Sequence, residues 1–255
     1  MMSSIAAAVV LVCWGGLGKV SSFTALLAVV FGIVTALAAF SGLRALEYGP
    51  WSYTSVVCSF STLIPAFSGV LVWKEKFYLS YLLGIFLMCA CFVLSVDLKG
   101  EKKSASGKWL MYCIVTFLGT GGIGIMQKWH QNAQYKEELN GFIIIAMLIS
   151  AVYSLVWILI ANRKEKIRLN TAFQSPYWPC LFIVTGAAVA INNKLNLYLS
   201  GTMDSAVFFP IVNGGGLILT ILASALLFRE RLAWRQWIGV AIGIVSVLII
   251  CNPIF

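Results

Sequence analysis

The chain has 255 residues, 60% of them hydrophobic and only 11% charged, with a formal net charge of +9. Soluble domains carry roughly a quarter charged residues, and no single water-soluble core holds so many apolar runs of about twenty residues. The positive balance does not read as nucleic-acid binding: Lys and Arg sit in short connections between apolar runs, as topology signals and lipid-headgroup contacts.

The first apolar segment, 2–18, has no basic leader and so does not read as a cleaved signal peptide. Eight more follow at 22–46, 51–73, 78–97, 108–128, 141–162, 176–199, 205–228 and 235–252. Each is about long enough to cross ~30 Å of hydrocarbon at ~1.5 Å per residue. Nothing alternates like a barrel strand, and backbone polar groups in lipid must be satisfied within the segment, so helices are predicted. Gly49-Pro50, Lys99–Lys103, Asn162–Arg168, Ser175-Pro176 and Gly201-Thr202 punctuate them. Connections this short make neighbouring helices antiparallel. The predicted fold is all-α, a polytopic membrane helix bundle of about nine transmembrane helices.

The segment Leu71–Gly84, LVWKEKFYLSYLLG, recurs as LLFRERLAWRQWIG over Leu226–Gly239, with Glu75 opposite Glu230 and Gly84 opposite Gly239. Each copy closes one apolar run, turns through basic–Glu–basic and opens another. Upstream, Ala45–Gly49 lines up with Leu197–Gly201, but the register slips by three residues between Ser61 and Pro65, where the second copy carries Gly214-Gly215-Gly216. Two readings follow: local unwinding at the glycines beside a cavity, or close helix packing through small residues. The repeats are 1–98, with four helices, and 107–255, with five. The first helix of the first repeat is missing: either the chain is natively nine helices, or, as the favoured expectation, it begins downstream of the true start.

These motifs resemble the drug/metabolite transporter superfamily, in its ten-helix EamA-like branch. The residues concerned are ALEYGPWS (Ala45–Ser52), STLIPAFSGVLVWKEK (Ser61–Lys76) and YLLGIFLM (Tyr81–Met88). Their second copies are NLYLSGTMDS (Asn196–Ser205), ILASALLFRER (Ile221–Arg231) and QWIGVAIG (Gln236–Gly243). The resemblance implies two repeats of opposite membrane orientation around a central cavity, here an inverted repeat of 4 + 5 helices. It also implies transport of small metabolites, amino acids, sugars or drugs by alternating access, and a cytoplasmic C-terminus. The charge pattern points the other way. Connections carrying Lys99, Lys102, Lys103, Lys108 and Arg163–Arg168 are richer in cations than those carrying Lys19, Lys74, Lys76, Lys128 and Lys136, which places the C-terminus outside. Orientation stays open.

The reading is thus a transporter, not an enzyme, in the cell (plasma or inner) membrane, with a small-molecule substrate and membrane lipids as partners. Nucleic acid is not expected as a partner, and a homodimer is allowed for. The competing reading is a flippase of a lipid-linked substrate or a non-transporting partner subunit.

Glu75 and Glu230 each lie between two cations where an apolar run ends, and are read as structural, pairing with neighbouring basics or a facing helix terminus. With Gly84 and Gly239 they form the structural signature. Asp204 reads as an N-cap or first-turn acid. The polar residues inside the runs carry the functional expectation. Asn192, Asn193 and Asn196 share a helical face, Asn213 lies in the next helix, and its repeat partner Ser61 is flanked by Ser59 and Thr62. Amides are costly against lipid, so this set is expected to line a substrate cavity, against the alternative of interhelical packing glue. Lys194 is either a snorkelling residue or a charge partner for a carboxylate or phosphate.

Trp51, Tyr53, Trp178, Phe208 and Phe209 are read as interfacial belt or lipid-facing, with Phe208-Phe209-Pro210 as an alternative cavity wall. His130, the lone histidine, beside Trp129 at a run end, is predicted to be exposed at the interface. Cys13, Cys58, Cys89, Cys91, Cys113, Cys180 and Cys251 show no CxxC pattern and read as small buried hydrophobes. No metal site and no cofactor are expected.

Overall fold

The computed structural model describes residues 2–76, 78–95, 106–165, 177–227 and 233–252. Among these the regular structure is entirely helical: α1 (Met2–Gly15), α2 (Ser22–Tyr48), α3 (Trp51–Phe60), α4 (Leu63–Trp73), α5 (Leu79–Ser95), α6 (Gly107–Asn132), α7 (Leu139–Glu165), α8 (Trp178–Thr202), α9 (Ser205–Leu227) and α10 (Trp234–Cys251). Seven spans are long and apolar enough to cross a membrane, counting α3 and α4 as one span over Tyr53–Trp73. The other two helices, α1 and α5, are apolar but shorter. Leu26, Leu71, Phe86 and Leu227 are each at least 70% exposed. In water such a skin drives aggregation, whereas hydrocarbon is as apolar as leucine. The chain is a multi-pass membrane protein.

Two compact units form, each drawn from both halves of the sequence: residues 1–36 with 126–201, and residues 37–125 with 202–255. The units therefore cut across the sequence repeats, and α2 and α6 each contribute to both.

In the first unit, α1 buries Ala6, Ala7, Ala8 and Leu11. Its small side chains let other backbones approach: a Cβ at Gly186 of α8 would strike Ala6. Gly32 of α2 does the same for α7, where a Cβ would lie 2.5 Å from the Ala146 carbonyl oxygen. The chain leaves α1 through Gly16 and Gly18, both with positive φ (66° and 68°), a conformation that side chains with a Cβ resist.

In the second unit, Met88, Cys91 and Phe92 of α5, Ile218 and Ile221 of α9, and Val240 of α10 make the buried core. The α5–α10 pair is reciprocal. Carried forward, the repeat register that sets Gly84 opposite Gly239 also sets Ser95 opposite Ile250. A Cβ on Gly84 would strike the Ile250 side chain, and a Cβ on Gly239 would lie 2.9 Å from Ser95 Oγ and 3.1 Å from Ser95 N. The start of each helix meets the end of the other, so the pair is antiparallel. Helices that contact each other reciprocally and run antiparallel have a local two-fold relation across their length. Ser246 Oγ seals the seam by donating to the Gly84 carbonyl at 2.7 Å.

The span over 51–73 tightens between α3 and α4, where Ser61 and Thr62 keep right-handed helical angles (φ −57°, ψ −22° and φ −62°, ψ −22°). Pro65 has no N–H to offer the Ser61 carbonyl and disfavours the helical conformation just before it. The chain tightens instead into i→i+3 bonds: Ser61 N–H to Cys58 O (3.2 Å), Thr62 N–H to Ser59 O (3.3 Å) and Ile64 N–H to Ser61 O (3.2 Å). The second copy behaves differently. Helix α9 runs unbroken through Gly214-Gly215-Gly216, so the reading of local unwinding at the glycines is corrected. Gly214 serves close packing, since a Cβ there would meet the Met88 thioether, while Gly215 and Gly216 face open space.

Candidate functional site

The tightened turn in the first repeat is where two sequence-predicted site residues meet. Asn213 Nδ2 of α9 donates to Thr62 Oγ1 at 3.2 Å and to the Phe209 carbonyl of its own helix at 3.0 Å. Thr62 and Ser61 are buried, whereas Asn213 is exposed. Ser61 donates to the Cys58 carbonyl at 2.6 Å, and Ser59, also on this turn, to the Ser55 carbonyl at 2.9 Å. Gly124 of α6 makes room here, because a Cβ on it would lie 2.7 Å from Pro65 and 2.9 Å from Phe209. One amide and one hydroxyl thus meet where the backbone tightens, near the middle of a membrane span. That arrangement offers donors and acceptors to a polar solute where the surrounding lipid offers none.

The other predicted residues lie in the first unit. Asn196 Nδ2 donates to Asn192 Oδ1 at 3.3 Å, and Asn193 Nδ2 to the Val189 carbonyl at 2.8 Å. The Asn193 amide is therefore satisfied within its own helix. Lys194 Nζ sits 4.9 Å over the Trp14 ring, a cation–π contact with α1.

A polar group that the sequence reading missed occupies the C-terminal turns of α6. Gln127, Lys128, His130 and Gln131 are buried, and His130 is 0% exposed, which corrects its assignment to an exposed interface. The physical reason is length: α6 continues to Asn132, beyond the expected end at 128, and carries this turn into the packed interior. Gln127, His130 and Gln131 are spaced i, i+3, i+4, and Trp129 between them is turned outward. That spacing was the available signal.

His130 Nε2 lies 3.4 Å from Thr24 Oγ1, Nδ1 lies 3.0 Å from Gln131 Nε2, and the ring packs 4.5 Å from that of Phe142. Thr24 leads on to Ser21, whose Oγ and backbone N–H donate to Glu138 Oε2 at 2.8 and 2.9 Å. The Thr24 hydroxyl first and then the Ser21 N–H, with the Ser21 hydroxyl and the His130 charge adding less, hold the Glu138 carboxyl below its ordinary value of 4.5, against an opposing effect of burial. A carboxyl with a depressed folded pKa stabilises fully above its unfolded pKa and loses that contribution as pH falls through the lower folded value. Amides at the start of α2 are therefore expected to lose hydrogen-exchange protection below about pH 4.5, and Glu138→Gln to remove that pH dependence. Protection that is insensitive to pH in the native chain would contradict the contact.

Of the structural signature, Glu75 reaches the start of α9. Ser205 N–H donates to Glu75 Oε2 at 2.7 Å and Ser205 Oγ to Oε1 at 3.3 Å. Lys74 makes this possible by adopting the left-handed conformation (φ 54°), so that Glu75 N–H bonds the Gly69 carbonyl at 3.2 Å in a Schellman-type close. Gly69 also leaves the space, since a Cβ there would strike the Glu75 carboxylate. A carboxylate on a helix N-terminus satisfies free N–H groups and faces the positive end of the dipole. Glu75→Ala is expected to cost about 1–2 kcal/mol in a reversible micelle-unfolding measurement, and Glu75→Gln less. Its counterpart Glu230 lies outside the described residues.

Phe208 and Phe209 are buried against each other, with ring centroids 4.9 Å apart, which corrects their reading as belt residues; Trp51 and Tyr53 do face outward. Cys91 and Cys113 are buried, but Cys13, Cys180 and Cys251 are exposed, contrary to the reading of all seven as buried. Against acyl chains a thiol remains a small hydrophobe, so outward positions carry little penalty. Among the described residues no three His, Cys, Asp or Glu side chains come together as a metal site.

No family model and no curated protein sequence matches the chain. Solved structures do: 29 chains match, among them a crystal structure described only as that of a protein. It superposes with a TM-score of 0.67 at 11% identity, over 97% of this chain and 93% of that one. At that identity the likeness establishes the fold alone.

Proposed function

We propose that this protein is a secondary transporter or facilitator of a small organic solute, a member of the drug/metabolite transporter superfamily working by alternating access. The observation that carries the reading is the Thr62–Asn213 contact where a span tightens ahead of Pro65. Discontinuous helices near mid-membrane are the usual way a transporter exposes backbone and side-chain polar groups to its solute. The reciprocal antiparallel seam of α5 and α10 supports it, because inverted repeats supply two related conformations that exchange inward and outward access. Ser59, Ser61, Thr62 and Asn213 are its solute contacts in the second unit, and Asn192, Asn193 and Asn196 its polar positions in the first.

Uptake and efflux of a panel of metabolites in proteoliposomes, with and without a pH gradient, test this. Saturable movement of at least one solute is expected. If no solute moves while a labelled lipid is scrambled between leaflets, the flippase reading replaces it; if neither moves, the transport reading fails.

A further inference from the structure

The first unit contains a cleft of about 310 Å³, near the small end of the ~300–1,000 Å³ range of ligand sites. It lies between the glycine turn after α1, the connection before α7 and one face of α8. Lys19, Glu137, Glu138, Asn140 and Lys194 line it. Opposite charges sharing a small cleft ordinarily collapse onto each other. Here none of the four pairs with another charge among the described residues.

The two inner charges are instead fixed by uncharged partners. The Trp14 ring carries the Lys194 ammonium, and Ser21 holds one oxygen of the Glu138 carboxylate through its N–H and hydroxyl. Asn140 adds an uncharged polar side chain to the lining. Immobilised, unneutralised charges of both signs are what preorganised recognition of a dipolar ligand requires.

We propose that this cleft binds a small zwitterion. Its carboxylate or phosphate meets Lys194 and Lys19, and its ammonium meets Glu138 and Glu137. A simple anion placed here would meet two carboxylates, and a simple cation two ammonium groups, so each is disfavoured by a like-charge pair. A ligand carrying both charges is opposed by neither. The same chemistry is found in a free solute and in the ethanolamine headgroup of a lipid.

Calorimetry on the full chain in phosphatidylglycerol nanodiscs separates the cases. The probes are L-leucine, its two single-charge analogues 4-methylpentanoate and 3-methylbutylamine, and phosphoethanolamine. At least one zwitterion is expected to bind tenfold or more tightly than either single-charge analogue. Lys194→Gln and Glu138→Gln should each weaken it about tenfold, and Lys136→Gln, in the same connection but outside the lining, not at all. Tighter phosphoethanolamine binding, with competition from phosphatidylethanolamine in the disc, identifies the headgroup source; tighter leucine binding, a free solute. The proposal is overturned if none of the four probes binds, if a single-charge analogue binds as well as its zwitterion, or if folded Lys194→Gln binds like the native chain. Because calorimetry reads binding without translocation, failure here leaves the transport reading standing, and a chain that binds but moves nothing separates the two in the other direction.

Discussion

Replacing Gly84 with leucine is expected to destabilise the protein more than any other single change described here. The Cβ alone would strike Ile250, and the Ser246 carbonyl oxygen stands 3.4 Å away. The same backbone position accepts the Ser246 hydroxyl at 2.7 Å, so α5 cannot retreat from α10 without breaking that bond. Overpacking costs roughly 1–3 kcal/mol where neighbours can shift, out of a total stability of roughly 5–15 kcal/mol. Gly239→Leu should cost somewhat less, because the nearest atoms, Ser95 Oγ at 2.9 Å and Ser95 N at 3.1 Å, stand farther from its Cβ than Ile250 does from that of Gly84. Gly215→Leu is the contrast: nothing lies within 4 Å of its Cβ, and a change within about 0.5 kcal/mol is expected. Unfolding of the purified variants in mixed micelles orders the three. If Gly215→Leu proves as harmful as Gly84→Leu, the seam is not what makes glycine necessary. Ile250→Ala should partly restore Gly84→Leu by vacating the space it needs.

Asn213→Ala is expected to reduce solute transport tenfold or more while leaving the fold in place. A single hydrogen bond contributes a net ~1 kcal/mol to stability, so loss of the Thr62 contact alone does not unfold a bundle of this size. Its expected effect on transport is larger, since tenfold in rate corresponds to ~1.4 kcal/mol of barrier and the amide is one of few polar groups at the tightened turn. Thr62→Val tests the partner. If the two act as a pair, the double variant should be no worse than the poorer single one. Additive losses would mean that each contacts the solute independently, and unchanged uptake in both would remove the turn from the mechanism. Pro65→Ala adds a third point, for it returns an N–H to the Ser61 carbonyl and should straighten the span, slowing turnover without deleting any polar side chain.

Helix positions were legible because apolar run length in a membrane is set by bilayer thickness, which leaves little freedom at either end. The exception, α6, is instructive. Its last turns are polar, so hydropathy ended the helix early, although Gln127, His130 and Gln131 keep helical spacing. Pro65 was visible as a breaker, yet its effect depended on the register of Ser61 and Thr62 against it. The triple glycine pointed to the wrong repeat, because glycine permits both unwinding and tight packing, and only the neighbour, Met88, decides between them. Pairings across long stretches of sequence, Thr62 with Asn213, Glu75 with Ser205 and Lys194 with Trp14, follow from tertiary packing and leave no mark in local pattern. The cleft was equally hidden: its charges come from separate connections and one helix face, each ordinary when read alone.

The reciprocal seam of α5 and α10 has a consequence for how such a chain tolerates change. One surface acts as both lock and key, so the residue that suits one half must also suit the copy lying against it upside down. A half-length protein with this face would already have a matching partner in another molecule of itself, inserted in the opposite sense. Joining two such halves in one chain releases the constraint, because each side of the seam is then free to vary alone. Across this seam Gly84 meets Ile250 and Gly239 meets Ser95, so the glycines match and their partners differ.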